Sequence, residues 1–559
     1  MATTFINRAR TILDLERIDA FAHEEAWRGV YTLGIASRPA LITVSCQQNR
    51  AADFVRSISE ILHSYADKAP AFVNVAIIGG GITGLTLGLL FQEDVILKHQ
   101  LKTKFRVRLF EKHNLLCPIQ RGCSVRRLHP FIHEWPFSEA LINEFSFSEY
   151  NIRGKEYSPL YWKADNADEV SKNIVSYYFS RFPELFVKDI RRPKLDVWQD
   201  VSYLHVGESE NRGRFSVVAD GGRICTSLGK TEKRNEQFEC DIVIFATGFG
   251  AEDIHLESGH QYRAISYWRN DDRSQASLYG QAGSYIVSGP GDGGLTDVLR
   301  LKLLDYQQDK TVFDLFPLDH EARMLLAERL VALHLPRNIA EKASKKSATK
   351  IAEDLTVLIN SLQDIREDFH EKHFHRLLNE WNKKSSYGNK NRTWGAFRLL
   401  AHYFIEPRLR SDVSIILRLG TAKALGQSEA VASPLPIERV VGNKYAAFYN
   451  RVLIFMVWKL SGLKVVQSDT ISQVQTEFDV PDARVIIRHG VNTIAAIQQS
   501  MSERILQQRN LSSDAAKDET RDERWRRNVL PDREAPDKDS TGDRYRSGRR
   551  VFGGGSKRQ

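Results

Sequence analysis

Cysteine is scarce. Five in 559 residues, with no C-x-x-C pair and no regular spacing, are too few for a disulfide framework and wrongly spaced for a zinc ribbon. A reducing cytoplasm is therefore the expected setting. Long apolar runs are missing too. Ala69 to Gln92 carries no charge, but Gly79, Gly80, Gly81, Gly84 and Gly88 interrupt it, so a buried strand, a glycine turn and a helix explain it better than a membrane span. Val452 to Trp458 lies between Arg451 and Lys459 and is too short to cross a bilayer. The opening residues lack the basic, apolar and small-residue order of a signal peptide, and no membrane association is expected. Neither charge dominates: 79 basic against 70 acidic residues leave +9, spread along the chain, which makes nucleic acid an unlikely partner. No internal repeat stands out.

What is present is an ordinary globular mixture, 42% hydrophobic, 27% charged and 10% aromatic. At roughly 150 residues per domain the length allows three or four domain-sized units. Ala40 to Cys46 has the β-branched content of a strand, and Arg50 to Tyr65 spaces its apolar residues as a helix does, so residues 1–72 form a βα extension. Val73 to Ile78 reads as a strand, Ile82 onward as a helix and Phe105 to Phe110 as a second strand. Further strands are expected at Asp241 to Phe245, Ser284 to Ser288 and Ala483 to Arg488, with a closing helix at Val491 to Gln508. Beyond Ser512 apolar residues nearly vanish, and 511–559 reads as a disordered charged tail.

Gly79-Gly80-Gly81-Ile82-Thr83-Gly84 is G-x-G-x-x-G between an apolar strand and a helix, the context a dinucleotide fingerprint requires. Gly79 permits the tight turn, Gly81 lets a pyrophosphate reach the backbone, and Gly84 lets helix and strand pack closely. The N–H groups of Ile82 and Thr83 open the helix toward the phosphates. Glu111, with Lys112 beside it, ends the next strand, where a carboxylate would accept the ribose hydroxyls. This spacing alone does not separate NAD from FAD.

Two later runs do: Asp241 to Gly248 (DIVIFATG) and Tyr285 to Asp292 (YIVSGPGD). In order and spacing the three segments resemble the FAD-dependent oxidoreductases with the glutathione-reductase type of nucleotide-binding fold. The resemblance covers about residues 70–305. It implies an α/β protein whose Rossmann-like FAD domain is discontinuous, 73–150 with 241–305, around an inserted substrate or cap domain at 151–240. A mainly helical region, 306–510, would follow. It also implies FAD as cofactor, with NADH or NADPH as possible electron donor, and places Gly248, Gly291 and Asp292 against the flavin nucleotide. No second G-x-G-x-x-G on a strand, which would mark a separate NAD(P)H domain, is read from the sequence, so the insertion is taken as a substrate or cap domain and not as a second Rossmann unit.

The run Gln120 to Pro136 is dense in Arg, His, Pro and aromatics, and so long a connection is usually functional. Gln120, Arg126 and Arg127 are candidates for FAD phosphates or a carboxylate substrate, and Trp135 for stacking on a ring. His129 and His133 are the candidate acid or base, since imidazole exchanges a proton near neutral pH. Pro130 and Pro136 argue against a metal pair on one helix face, and His370, His373 and His375 stand among charges as on a solvated helix, so no metal is expected. Cys117 and Cys123 fall where a redox pair would lie, but five residues separate them. The leading reading is an FAD-dependent oxidoreductase acting on a small organic substrate. The alternative is a nucleotide-binding sensory or assembly protein whose C-terminal helices bind a protein partner.

Overall fold

Strands such as Val75-Ala76-Ile77-Ile78 are apolar on both faces, which suits parallel sheets covered on both sides. The computed structural model describes residues 2–17, 27–33, 43–65, 68–92, 103–137, 144–145, 162–181, 195–209, 211, 213–224, 231–248, 267–270, 283–317, 319–334, 341–369, 374–382, 392–420, 436–443 and 446–488. The expected closing helix, the charged tail, His370 and His373 lie outside these residues.

The first half runs α1 (Ala2–Glu16), β1 (Gly29–Thr32), α2 (Val44–Ser64), β2 (Phe72–Ile78), α3 (Ile82–Gln92) and β3 (Lys104–Phe110). Two short ladders follow, β4 (Arg127–Leu128) with β7 (Asp165–Asn166) and β5 (Glu144–Phe145) with β6 (Trp162–Lys163). Next come α4 (Ala167–Arg181), β8 (Leu195–Glu208), β9 (Phe215–Ile224), β10 (Thr231–Cys240) and β11 (Ile242–Phe245). The second half runs β12 (Gly283–Ser288), α5 (Asp292–Lys302), α6 (Thr311–Leu315), α7 (His320–His334), α8 (Glu341–Asp368), α9 (Phe374–Asn382) and α10 (Arg392–Leu400). It ends with β13 (Val413–Leu419), α11 (Pro436–Val441), α12 (Phe448–Ser461), β14 (Lys464–Gln467), α13 (Ile471–Glu477) and β15 (Arg484–Ile487).

Two sheets organise these elements. The first has the order β1-β11-β2-β3-β8-β9-β10, parallel from β1 to β8 and antiparallel beyond. Val75 and Ile77 face a core shared with α2, α3 and α4, while Ala76 and Ile78 face Trp198, Val217 and Phe238 from the antiparallel strands. The second sheet is wholly parallel, β14-β13-β12-β15. Its core gathers Val287, Leu295, Leu299 and the helices α6 to α12.

Several expectations change here. Of the strand expected at Ala40 to Cys46, residues 40–42 lie outside the described residues, and Thr43 is not in a strand: its side chain accepts the Cys46 N–H at 3.0 Å and caps α2, which begins at Val44. Residues 151–240 are not a separate insertion, because β8 pairs with β3 through Leu195 to Trp198 before turning into the antiparallel ribbon. The region after 306, expected to be mainly helical, also supplies β13, β14 and β15, which form the second sheet with β12. Above all, β12 belongs to that sheet, so Tyr285 to Asp292 does not return to the sheet of Gly79.

Candidate functional site

The first glycine turn is set by contacts that only glycine allows. Gly79 has φ of +115°, and a Cβ there would lie 2.3 Å from the carbonyl oxygen of Ala246 at the end of β11. A Cβ on Gly84 would lie 1.8 Å from the Gly79 oxygen. At Gly81 a Cβ would meet nothing within 4 Å. Gly79 and Gly84 are thus fixed by packing, whereas the space at Gly81 lies open above the head of α3, whose first N–H groups lack intrahelical partners by geometry. Ile82 is buried and Thr83 half-buried in that first turn.

Glu111 follows β3 and is buried. Its carboxylate accepts the Gly80 N–H at 2.6 Å and the His113 N–H at 2.9 Å, which clamps it against the turn. Lys112 is half-buried beside it, and Gly248, with φ of +75°, turns the chain after β11 on the other side of β2. The sequence-predicted group Gly79 to Gly84, Glu111, Lys112 and Gly248 therefore converges on the carboxyl ends of β11, β2 and β3, where open parallel sheets bind their ligands. Cys117 is buried nearby, and burial pushes its thiol up to about 12, which leaves it protonated and unsuited to thiolate chemistry. Cys117 and Cys123 are both free.

Gly291 and Asp292 stand elsewhere, in the turn between β12 and α5. That turn repeats the first residue by residue. Gly289 has φ of +127°, and its Cβ would lie 2.1 Å from the Arg488 oxygen, just past β15. A Cβ on Gly294 would lie 2.0 Å from the Gly289 oxygen, and one on Gly291 would meet nothing within 4 Å. Gly289-Pro290-Gly291-Asp292-Gly293-Gly294 is itself G-x-G-x-x-G on a strand, so the second fingerprint is present after all. Asp292 does not face the first turn. Its Oδ1 accepts the Ala447 N–H at 2.7 Å and Asn450 Nδ2 at 2.9 Å, which ties the loop to the start of α12.

The run from Gln120 to Pro136 spans the two units. Arg126 is fully buried, ion-paired through Nη1 to Asp297 of α5 at 2.7 Å, and its Nε donates to the Tyr267 carbonyl at 2.9 Å. Asp297 also meets Arg488 Nε at 2.9 Å and Arg300 Nη1 at 3.5 Å. A guanidinium so engaged is not available to a phosphate at the first turn, contrary to expectation. Arg127 pairs with Asp309 at 2.6 Å. The half-buried Gln120 receives the Cys123 N–H on its carbonyl at 3.2 Å. Trp135 shields no open ring face; it is buried in the second core, stacked on Phe448 at 5.3 Å and tilted against Phe316 at 5.3 Å.

The two histidines separate. His129 Nδ1 accepts the Phe131 N–H at 3.2 Å, and burial outweighs the nearby Asp309 and pushes its pKa down to about 4. It is neutral at pH 7. His133 lies 5.9 Å from the Tyr449 ring, and burial lowers its pKa against the pull of Asp292 and Glu134. Among the described residues no cluster of His, Cys, Asp and Glu could hold a metal, and no helix is long and apolar enough to cross a membrane. Asp297 and Arg488 were not singled out from sequence, because a lone charge in an apolar helix or at a strand end carries no signal of its partner.

No family model and no curated protein matches this chain. Among solved structures it is similar to the polycyclic ketone monooxygenase from the thermophilic fungus Thermothelomyces thermophila, at 9% identity and a TM-score of 0.26, over 89% of this chain and 74% of that one.

Proposed function

We propose that the chain is an FAD-dependent oxidoreductase acting on a small organic substrate. The observation that carries this reading is the first turn, where Gly79 and Gly84 are closed by packing and Gly81 alone is left open beside a buried carboxylate. A pyrophosphate fits that space against the N–H groups heading α3, and Glu111 stands at the position that meets an adenosine ribose. Gly79, Gly80, Gly81, Ile82, Thr83, Gly84, Glu111, Lys112 and Gly248 would hold the nucleotide. FAD, when bound, supplies two-electron redox chemistry. The protein's part is to fix its position, and His129, neutral at pH 7, is poorly suited to hold a proton there.

The purified protein should be yellow and release FAD, not FMN, on denaturation. Gly81→Val should lower bound FAD at least tenfold without unfolding, because its side chain enters space the protein does not fill. A colourless protein whose addition leaves FAD fluorescence unquenched would overturn the reading. Turnover with any reductant separates it from the sensory or assembly alternative, which requires none.

A further inference from the structure

The two glycine turns match in backbone and differ in charge. Gly79 N–H donates to the Phe110 carbonyl at 2.7 Å, and Gly289 N–H donates to the Arg418 carbonyl at 3.1 Å. The other ends agree: the Ala246 N–H reaches the Ile78 carbonyl and the Arg488 N–H reaches the Ser288 carbonyl, each at 2.7 Å. In this register Ile82 and Asp292 are equivalent, each the first residue of the helix that follows its turn. The opening turn of α3 holds no acidic residue, whereas that of α5 holds Asp292.

Space does not separate the two turns, since a Cβ would meet nothing within 4 Å at either Gly81 or Gly291. Charge does. The unpaired N–H groups and the dipole of a helix head attract an anion. At α3 that place is left to a ligand; at α5 the chain supplies its own carboxylate. Asp292 is also held fast, because its Oδ1 accepts the Ala447 N–H at 2.7 Å and Asn450 Nδ2 at 2.9 Å. Ala447 is the N-cap residue of α12 and has no side-chain group with which to cap it. One carboxylate therefore serves two helix heads, that of α5, which carries it, and that of α12, which it caps. Asn443 Nδ2 donates to the Pro290 carbonyl at 3.1 Å, so the segment 443–450 grips the turn at two successive non-glycine residues. A phosphate arriving here would meet a negative charge that cannot turn away without freeing the Ala447 N–H. The ribose position has changed as well: Glu111 follows Phe110, but the residue that follows Arg418 is the buried Leu419, which accepts no hydroxyl.

From this we infer that Asp292 is an internal anion that closes the second glycine turn to phosphates and so confines dinucleotide binding to the first. The run Gly289 to Gly294 is then a joint between α5 and α12, and the NADH or NADPH that the sequence resemblance implies does not bind there. A fixed charge set against the wrong ligand is a common source of specificity. The contrast between the turns rests on the reading of the first as the FAD site; the closure of the second rests on Asp292.

The test uses the full chain, with inorganic pyrophosphate as probe, read by calorimetry and amide hydrogen exchange. In the wild type FAD should slow exchange at residues 79–85, and added pyrophosphate should leave 289–295 unchanged. Asp292→Asn keeps the shape and an oxygen for the Ala447 N–H while removing the charge, and should bind pyrophosphate at 289–295 at least tenfold tighter than the wild type. Asp292→Ala should gain the same binding and also speed exchange at 447–450, because the head of α12 loses its cap. Protection of 289–295 by pyrophosphate in the wild type, or no gain there in folded Asp292→Asn, would each overturn the proposal; if neither variant folds, the wild-type measurement decides it. No protection of 79–85 by FAD, with the gain in Asp292→Asn intact, would overturn the FAD reading and leave this one standing.

Discussion

The helices that follow the two glycine turns begin alike and then diverge. After Gly84 the chain reads Leu85-Thr86-Leu87, with Leu90 one turn on; after Gly294 it reads Leu295-Thr296-Asp297, with Arg300 one turn on. All of these residues are buried. In α3 the equivalents of Asp297 and Arg300 are leucines, packed in the core shared with α2 and α4. In α5 they are charged: Asp297 meets Arg126, which arrives from the first unit, and Arg488, while Arg300 reaches Asp297 at 3.5 Å. The same fold solves two packing problems: one helix is covered by its own unit's apolar residues, the other by a polar junction with the neighbouring unit. A buried ion cluster costs desolvation and gives orientation in return, because guanidinium and carboxylate meet in few geometries. The junction thus fixes how the two turns stand relative to one another.

The comparison breaks first at Asp297. Asp297→Asn keeps the shape and removes the charge that Arg126, Arg300 and Arg488 share, and should cost about 3–5 kcal/mol by denaturant unfolding. Leu87→Ala at the equivalent place should cost about 2–5 kcal/mol through its cavity. The distinguishing result is a loss of stability from Asp297→Asn, which leaves the side-chain volume unchanged; a cost near zero would mean that Asp297 contributes packing only. A comparable effect should come from Gly84→Ala and Gly294→Ala, whose new methyl groups would stand at 1.8 and 2.0 Å from the backbone carbonyl oxygens of Gly79 and Gly289. Each should cost about 3 kcal/mol or more, and the two costs should agree. A large difference would show that the turns are not equivalent.

Much of the local structure was legible. Val73 to Ile78, Phe105 to Phe110, Asp241 to Phe245, Ser284 to Ser288 and Ala483 to Arg488 all fall on strands, because parallel strands buried on both faces need unbroken apolar runs. The group at the first turn was legible for the same local reason. Sheet membership was not. Pairing joins residues far apart in sequence, and nothing local in Tyr285-Ile286-Val287 says that its neighbours are β13 and β15 and not β2. Reading Gly291-Asp292 as the end of one domain hid it as the start of another. The repeat itself was obscured by unequal spacers: β2 and β3 are separated by residues 79–103, β12 and β13 by 289–412. Arg126 shows the remaining gap, since a basic residue in a loop near a phosphate motif suggests an anion until its partner, Asp297, is seen.

The smallest effect expected is a pH dependence at His129, on the bridging run between the units. Its ring is held by the Phe131 N–H and lies 5.8 Å from Phe313, so the folded protein keeps it neutral down to about 4. In the unfolded chain the ring regains its ordinary value near 6.5. Between those two values the unfolded state binds the extra proton, so the contribution is fully present above pH 6.5 and is lost as pH falls toward 4. At pH 5.5 the wild type should have lost about 1 kcal/mol relative to pH 7.5 on this account. His129→Gln should flatten that slope relative to the wild type. Equilibrium unfolding at a series of pH values measures both. An unaltered slope in His129→Gln would mean that another group carries the acid sensitivity of this junction, with the buried His133 beside Asp292 the next to vary.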